Sequence, residues 1–245
     1  MFDINVEITK LTEIIQNSNN IVFFGGAGVS TESGIPDFRS EDGLYSERYA
    51  YPPETILSRS FFDTHTEEFY RFYREKLIYP DAKPNKAHVA LAELERQGKL
   101  EAVITQNVDG LHTEAGSICV LELHGSASRN ICLECDECYP IEKIIDSEGI
   151  PRCTCGGVIK PDVVLYEEGL DPNVMSRATK AIYEADVLIV GGTSLNVYPA
   201  AGMINYYRGD KLVLINKAET SYDRYANLII RESIGSALYD AVFEK

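Results

Sequence analysis

The chain has 245 residues, enough for one substantial hydrophobic core or for one core with a small second module. A composition of 44% hydrophobic and 25% charged residues is that of a folded globular protein and argues against disorder. With 23 basic and 38 acidic side chains the formal net charge is −15, and because so acidic a surface repels phosphate backbones, we expect no nucleic-acid partner.

The first element of the chain is predicted to be an amphipathic helix. Its apolar residues recur at helical spacing: Ile4, Ile8, Leu11 and Ile15. Charged residues such as Glu7 and Lys10 interrupt the same stretch, so it predicts neither a secretion signal nor a membrane span. The cysteines further along are clustered, which in an unexported protein favours metal binding over disulfides. We therefore expect a cytoplasmic protein with no membrane partner.

Short, largely apolar runs recur along the chain and predict strands that are buried on both faces of a parallel sheet. The runs are 21–24, 102–104, 120–123, 187–190, 212–215 and 228–230. Helical patterns lie between several of them, at 85–96 and 199–207, and another begins at Ser233. Strands that alternate with helices indicate an α/β fold, here a Rossmann-like parallel sheet with helices on both faces.

Two stretches interrupt this alternation. Residues 41–84 are rich in aromatic and charged side chains and are predicted to be helical with loops. Residues 126–160 contain most of the cysteines and no long apolar run. We predict that these two insertions together form a small domain, while residues 1–40, 85–125 and 161–245 form the larger, Rossmann-like domain.

The first predicted strand ends in a glycine turn, Gly26-Ala27-Gly28. Glycines here allow the backbone to approach a pyrophosphate, whose charge is met by free N–H groups at a helix N-terminus. Thr31 replaces the third glycine of the usual dinucleotide fingerprint, so the turn alone is equally consistent with a structural role. The next segment, 33–40, contains Gly-Ile-Pro and cannot continue a helix well. It predicts a loop over the phosphate site, with Arg39 to supply charge and Phe38 to shield it.

Polar side chains follow the second predicted strand. Ligands of an open parallel sheet lie beyond the carboxyl ends of its strands. Gln106, Asn107 and Asp109 are therefore expected to point into the same crevice as the glycine turn. The alternative, which this segment by itself favours, is an Asx-type turn at 107–110.

One histidine occupies a position that suits proton transfer. His124 directly follows the predicted strand 120–123, so it too is expected at the carboxyl edge of the sheet. A neutral imidazole with a pKa of about 6.5 can accept a proton at neutral pH, as a general base must. Position alone leaves a structural role equally open.

The cysteine cluster predicts a metal site. Cys132 and Cys135 form one close pair, and Cys153 and Cys155 form a second, which fits a tetrahedral four-thiolate zinc ribbon. Cys138 is a competing ligand that gives the first pair a superficial likeness to an iron–sulfur run, but the further cysteine of such a run is absent. We predict a structural zinc ion whose closed coordination excludes it from the chemistry.

In their order along the chain, these motifs resemble those of the sirtuins of the bacterial type. The resemblance rests on 26–31, 33–39, 106–112, 124–125, 160–164, 192–195 and the two cysteine pairs, and it runs through essentially the whole chain. It implies an enzyme that removes acyl groups from protein lysines while consuming NAD. The implied products are nicotinamide, O-acetyl-ADP-ribose and the free lysine.

The resemblance also implies a role for each matching residue. The catalytic residues would be His124, as general base toward a ribose hydroxyl, and Asn107, which with Asp109 and Val108 shapes the nicotinamide pocket. Of the remaining residues, Gln106 would contact the ribose of NAD and Phe38 would shield its reactive carbon. Ala27, Thr31 and Arg39 would contact the phosphates. The phosphate and adenosine half would be contacted by Thr193, Ser194, Asn216 and Ile234.

The implied partner is a protein or peptide containing acetyl-lysine, bound as an added strand between residues 163–166 and 195–198 by main-chain hydrogen bonds. Two departures from the family bear on it. Tyr166-Glu167-Glu168 replaces a more usual Phe-Gly-Glu. Members that remove acidic acyl groups carry Tyr-x-x-Arg, and here Tyr73 replaces that arginine. We therefore expect a preference for acetyl or other neutral acyl groups.

Three other functions compete with this interpretation. A protein ADP-ribosyltransferase or an NAD hydrolase would use the same site but would release nicotinamide without an acylated peptide. A non-catalytic NAD or zinc module would not need the set Asn107, Asp109 and His124. A conventional NAD dehydrogenase lacks support, because the third glycine and an acidic ribose-binding residue are both missing.

Overall fold

Two β-sheets organise the fold, which the computed structural model describes for residues 4–38, 43–44 and 49–243. The strands are β1 (Ile21–Gly25), β2 (Leu100–Thr105), β3 (Val120–Glu122), β4 (Gly125–Cys132), β5 (Cys138–Pro140), β6 (Ile159–Val163), β7 (Val187–Gly191), β8 (Leu212–Ile215) and β9 (Leu228–Ile230). The α-helices are α1 (Ile4–Gln16), α2 (Pro53–Ile56), α3 (Arg59–Thr64), α4 (Thr66–Lys76), α5 (Lys86–Arg96), α6 (Leu111–Glu114), α7 (Glu142–Ile145), α8 (Pro172–Glu184) and α9 (Ile234–Phe243).

The larger sheet is parallel throughout, with the order β3-β2-β1-β7-β8-β9. From β1 the chain builds outward to β2 and β3, and it later crosses to the other side of β1 to add β7, β8 and β9. The carboxyl ends of β1 and β7 therefore border a topological switch point, which is where open α/β sheets bind their ligands. The predicted α/β, Rossmann-like fold is confirmed.

Each face of this sheet is covered by helices. Alternate residues of β1 enter different cores: Ile21 and Phe23 pack with α1, α5 and α9, whereas Val22 and Phe24 pack with α8. This alternation explains why the strands are apolar on both sides and lack a period-two polar pattern.

The segment 199–207, predicted to be a helix, forms a 3-10 helix at Ala200–Tyr206 that packs against the second face. Gly202 lies in the middle of it, and glycine is a poor helix former. In contrast, the helix predicted at 85–96 is α-helical from Lys86, and the Asn85 side chain caps it by accepting a hydrogen bond from Ala87 N at 2.9 Å.

The smaller sheet is antiparallel, with the order β5-β4-β6. Its core also contains the aromatic residues of α3 and α4, so the two predicted insertions share one hydrophobic cluster. The Tyr70 hydroxyl fixes α4 to β6 by donating to the carbonyl of Ile159. The predicted domain boundaries stay a prediction; β4 begins at Gly125 and β6 ends at Val163, each slightly beyond them.

No helix in the described part of the chain combines the length and the apolar character that crossing a bilayer requires.

Two buried histidines are expected to make folding sensitive to acid. His88 and His112 are 0% and 2% exposed, with ring centroids 4.6 Å apart. Burial lowers the pKa of His88 from 6.5 to about 4 and that of His112 to about 3. Below pH 6.5 the unfolded chain therefore binds protons that the folded chain does not. As the pH is lowered, the free energy of unfolding should decrease by up to about 1.4 kcal/mol per pH unit for each histidine.

Urea unfolding at a series of pH values between about 7 and 5 measures this loss; ordinary carboxylates, with pKa values of about 4, contribute little there. His112→Gln, which does not titrate, should show a shallower decline. A free energy of unfolding that stays constant over the range would contradict the prediction.

Candidate active site

The glycine turn lies directly against the end of the neighbouring strand. Gly28 N donates to the carbonyl of Gly192 at 2.8 Å, and a Cβ on Gly28 would come within 2.8 Å of Gly192 Cα. Gly192 itself has φ +59°, a conformation that favours glycine. Both glycines are thus needed to bring the carboxyl ends of β1 and β7 together at the switch point, whether or not a ligand is bound.

Three polar side chains converge beside this turn. Ser30 Oγ donates to Asp109 Oδ2 at 2.6 Å, and Asn107 Nδ2 donates to Ser30 Oγ at 3.0 Å. The other Asp109 oxygen accepts from Leu111 N at 2.9 Å, which makes an Asx-type turn at 109–111, two residues later than the turn at 107–110 considered from the sequence. A turn and a place beside the glycine loop are compatible for Asp109, because Oδ1 accepts within the turn and Oδ2 accepts from Ser30.

Ser30 was missed as a candidate, although it is 1% exposed and connects the two site segments. The sequence offered one signal, its position directly after the glycine turn. Asn85 was missed as well: its Nδ2 donates to Val29 O at 2.8 Å and to Ser33 Oγ at 3.0 Å. An N-cap residue gives no sign in the sequence that its amide also supports a distant loop.

Gln106 joins three strand ends. Its Nε2 donates to Thr193 Oγ1 at 3.1 Å, and its main-chain N–H donates to Gly25 O at 3.0 Å. Its carbonyl oxygen lies 2.9 Å from His124 Nδ1. The carboxyl ends of β1, β2 and β7 and His124, two residues after the end of β3, are thereby held in one arrangement.

The hydrogen bond at Nδ1 of His124 leaves its Nε2 as the ring nitrogen that can accept a proton. A carbonyl oxygen only accepts hydrogen bonds, so Nδ1 carries the hydrogen toward Gln106 and Nε2 keeps its lone pair. Burial lowers the pKa of His124 below 6.5, and the hydrogen bond to Gln106 offsets part of that effect. The His124 side chain is half-buried, so a ligand can still reach the ring.

The other predicted cofactor residues occupy the rim of this region. Ala27 and Thr31 begin two short 3-10 helices after β1, and Thr31 Oγ1 donates to Gly28 O at 3.0 Å. Phe38 and Val108 are partly buried against the small-domain core. Ser194 is exposed. Arg39 lies outside the described residues.

Asn216 and Ile234 lie on the β7–β8 side of the switch point. Asn216 follows β8, and its Nδ2 donates to Ala218 O at 2.9 Å. Ile234 begins α9 and packs against Gly191, leaving no space there for a Cβ. Glu32, which follows the glycine turn, is connected to the start of α9, because its carboxylate accepts from Gly235 N at 2.7 Å.

The cysteines form a site that fits zinc. The sulfurs of Cys132, Cys135, Cys153 and Cys155 all lie within 4.8 Å of one another. Two sulfur pairs are 3.5 Å apart, close to the separation of about 3.8 Å across a tetrahedral zinc–thiolate centre. The Tyr139 hydroxyl adds a donor at 3.0 Å from Cys153 Sγ.

The Cys138 sulfur is not part of this group; it is exposed and lies near the Asp136 carbonyl. The short C-x-C pair therefore supplies both of its sulfurs to the cluster.

Comparisons with known proteins agree with this geometry. The sequence model of the Sir2 family matches residues 26–199. A protein of Clostridium acetobutylicum named NAD-dependent protein deacetylase is 60% identical over 236 residues, which cover 95% of this chain and 96% of that protein.

Solved structures extend the likeness to the fold. One, described as the structural basis for the mechanism and regulation of Sir2 enzymes, has a TM-score of 0.88 and 41% identity and covers 97% of both chains. Another, of Sir2 with a p53 peptide and NAD+, has a TM-score of 0.83 and 40% identity and covers 94% of this chain and 95% of that one. With the glycine turn, the polar cluster and the histidine held at one switch point, and with matches of this extent, the chain belongs to the Sir2 family.

Proposed function

We propose that the chain is an NAD-dependent protein-lysine deacetylase that converts acetyl-lysine and NAD to lysine, nicotinamide and O-acetyl-ADP-ribose. The observation that carries the proposal is the convergence of Ser30, Asn107 and Asp109 with the Gln106–His124 pair at the switch point of the sheet. The deacetylase name of the clostridial relative and the peptide and NAD+ in the similar Sir2 structure support it.

NAD would supply an activated ribose carbon, to which the acyl oxygen adds as nicotinamide leaves. The part of His124 would be to remove a proton from a ribose hydroxyl through Nε2, since Nδ1 is committed to the Gln106 carbonyl. A lowered pKa suits this role, because the base form then persists at and below neutral pH.

Asn107 and Asp109 would orient the nicotinamide end of NAD, with Ser30 holding both side chains in register. A carboxamide needs one acceptor and one donor, and a carboxylate beside an amide offers both. Val108 and Phe38, which pack against the small-domain core, would form the apolar wall that keeps water from the reacting carbon. Arg39 remains part of this proposal as a phosphate contact.

The rest of the cofactor would extend along the strand ends. Gln106 would contact the ribose, and Ala27, Thr31, Thr193 and Ser194 would contact the phosphates beside the glycine turn. Asn216 and Ile234, on the far side of the switch point, would contact the adenosine.

The acetyl-lysine peptide would enter as a strand between 163–166 and 195–198. On the first side the N–H groups of Val164, Leu165 and Tyr166 are already bonded to His124 O, Glu168 Oε2 and Leu57 O. In the described chain no hydrogen bond involves the Val164 carbonyl or the Glu167 main chain, so these groups are the ones that an added strand can use.

The acyl chain is expected to be neutral. Tyr73 is fully buried, and its hydroxyl finds no partner among the described residues. Arg74 donates to the carbonyls of Ile144 and Gly149, and Arg71 pairs with Glu68, so neither is free for an acidic acyl group. Burying an unpaired carboxylate is costly, so we expect kcat/KM for a succinyl-lysine peptide to be about 100-fold or more below that for acetyl-lysine.

Steady-state kinetics on matched peptides measure the ratio. Tyr73→Arg should raise succinyl turnover while lowering acetyl turnover. Equal turnover of both peptides by the wild-type chain would refute the preference.

The proposed activity is tested by nicotinamide release from NAD with and without an acetyl-lysine peptide. A deacetylase releases nicotinamide when the peptide is present, together with one deacetylated lysine for each NAD consumed. Equal release without the peptide would instead favour the alternative, an ADP-ribosyltransferase or NAD hydrolase.

A cytoplasmic location stays part of the proposal, supported by cysteines that are free and grouped for a metal.

A further inference from the structure

The turn after β6 contains a residue in a strained conformation. Glu168 N donates to Leu165 O at 3.0 Å, closing a four-residue turn whose third residue, Glu167, has φ +78°. Type II turns require a positive φ at this position, and glycine meets the requirement with least strain. A glutamate is therefore an unfavourable choice for the backbone, and an interaction of its side chain must compensate.

That interaction is with the helical insertion. Glu167 Oε2 accepts from Ser60 N at 2.9 Å, and Oε1 accepts from Ser60 Oγ at 3.0 Å. Ser60 lies in the first turn of α3, where N–H groups have no partner within the helix. The carboxylate thus satisfies a free donor of α3 and fixes the turn to the insertion at the same time.

The neighbouring carboxylate contacts both segments. Glu168 accepts from Leu165 N at 2.8 Å and from Lys160 Nζ at 3.1 Å, which holds the turn to its own strand. It also accepts from Arg59 Nη1 at 3.2 Å, so a side-chain contact with the first residue of α3 remains when Glu167 is replaced. Within the described residues, both hydrogen bonds of the Glu167 carboxylate are with Ser60. Main-chain bonds from Arg59 N to Tyr166 O and from Tyr166 N to Leu57 O join the same two segments.

The turn is also connected to the proposed base. Val164 N donates to the His124 carbonyl at 3.0 Å, only three residues before Glu167. A shift of the turn away from α3 would therefore change the wall of the site next to His124. The Glu167 main chain, which the described residues leave without a hydrogen bond, would move with it.

We infer that the Glu167 carboxylate is a positioning group that holds the turn 165–168 against Ser60 in the arrangement that receives the acylated peptide. The inference rests on the proposed function for its substrate. It assigns Glu167 no contact with NAD and no part in the chemical step.

Glu167→Gly tests this directly, because glycine accepts the positive φ without strain while the carboxylate is lost. Losing two charge-assisted hydrogen bonds at an exposed site should raise KM for the acetyl-lysine peptide about five-fold, with kcat and KM for NAD within about two-fold of wild type. Glu167→Gln, whose amide oxygen can still accept from Ser60, should stay near wild type. Ser60→Ala should raise the peptide KM less, and add little to Glu167→Gly, because both remove the same contact.

Hydrogen exchange gives a second readout that does not need turnover. Amides of Arg59 and Tyr166 should exchange about five-fold faster in Glu167→Gly than in the wild type. A variant that melts earlier but keeps the wild-type peptide KM would show a merely stabilising contact and overturn the inference, as would unchanged exchange. If the wild-type chain released no nicotinamide in response to the peptide, the proposed function would fail, and the exchange rates would still decide whether Glu167 holds the turn.

Discussion

His124→Ala is expected to abolish deacetylation while leaving NAD binding largely intact. The imidazole contacts Gln106 O through Nδ1 and offers Nε2 as the proton acceptor, so its loss removes a general base that typically contributes a factor of about 100 to 10,000. The glycine turn and the Ser30–Asp109 contact do not depend on it. Nicotinamide release in the presence of an acetyl-lysine peptide measures turnover, and calorimetric titration with NAD measures binding.

A matched control is available in His65→Ala. His65 is exposed and stacks on Phe61, with ring centroids 4.7 Å apart, away from the proposed site. This variant should retain wild-type turnover. Near-normal deacetylation by His124→Ala would rule out His124 as the base.

The pH dependence of kcat/KM for the wild type should also agree with His124 as the base. Because burial lowers the pKa of His124 below 6.5, the neutral base form persists at neutral pH and is lost only as the pH falls through the lowered value. The acidic limb of kcat/KM is therefore expected below pH 6.5. An acidic limb centred above 6.5 would show that another group titrates.

The sequence was sufficient for the parallel sheet and for the location of the site. Runs such as 187–190 are apolar on both faces because α8 and α9 cover opposite sides of the sheet, and this leaves a plain signal. Gln106 directly follows β2, and His124 comes two residues after the end of β3, so the switch-point rule was enough to expect them at one edge.

What the sequence could not provide were contacts between distant segments. Ser30 reaches Asp109 across 79 positions and Asn85 reaches Val29 across 56, and no local pattern encodes either contact. Glu167 was noted as a departure from the family, but its reason became apparent only when the backbone conformation and the Ser60 contact were both known. The sequence also could not predict the 3-10 geometry at 200–206, because the apolar spacing of this segment suits an α-helix equally well.

Cys153→Ser is expected to remove the metal and unfold the small sheet. Cys153 is 6% exposed and lies within the small-domain core, where its sulfur accepts from Tyr139 and lies 3.5 Å from the Cys135 sulfur. A structural zinc ion contributes about 10 to 16 kcal/mol in small zinc modules, as much as the stability of a whole domain. Because β4 leads back to Gly125 and Val164 bonds the His124 carbonyl, deacetylation should be lost with the metal.

Cys138→Ser supplies the control for that experiment, because Cys138 lies three residues from Cys135 but outside the sulfur cluster. Elemental analysis should find one zinc per chain in the wild type and in Cys138→Ser, and essentially none in Cys153→Ser. Near-ultraviolet circular dichroism should show a loss of packing around Tyr139 and Tyr70 only in Cys153→Ser. Loss of zinc from Cys138→Ser would instead make Cys138 a ligand, and stoichiometric zinc in Cys153→Ser would show that three of these thiolates are enough to hold the ion.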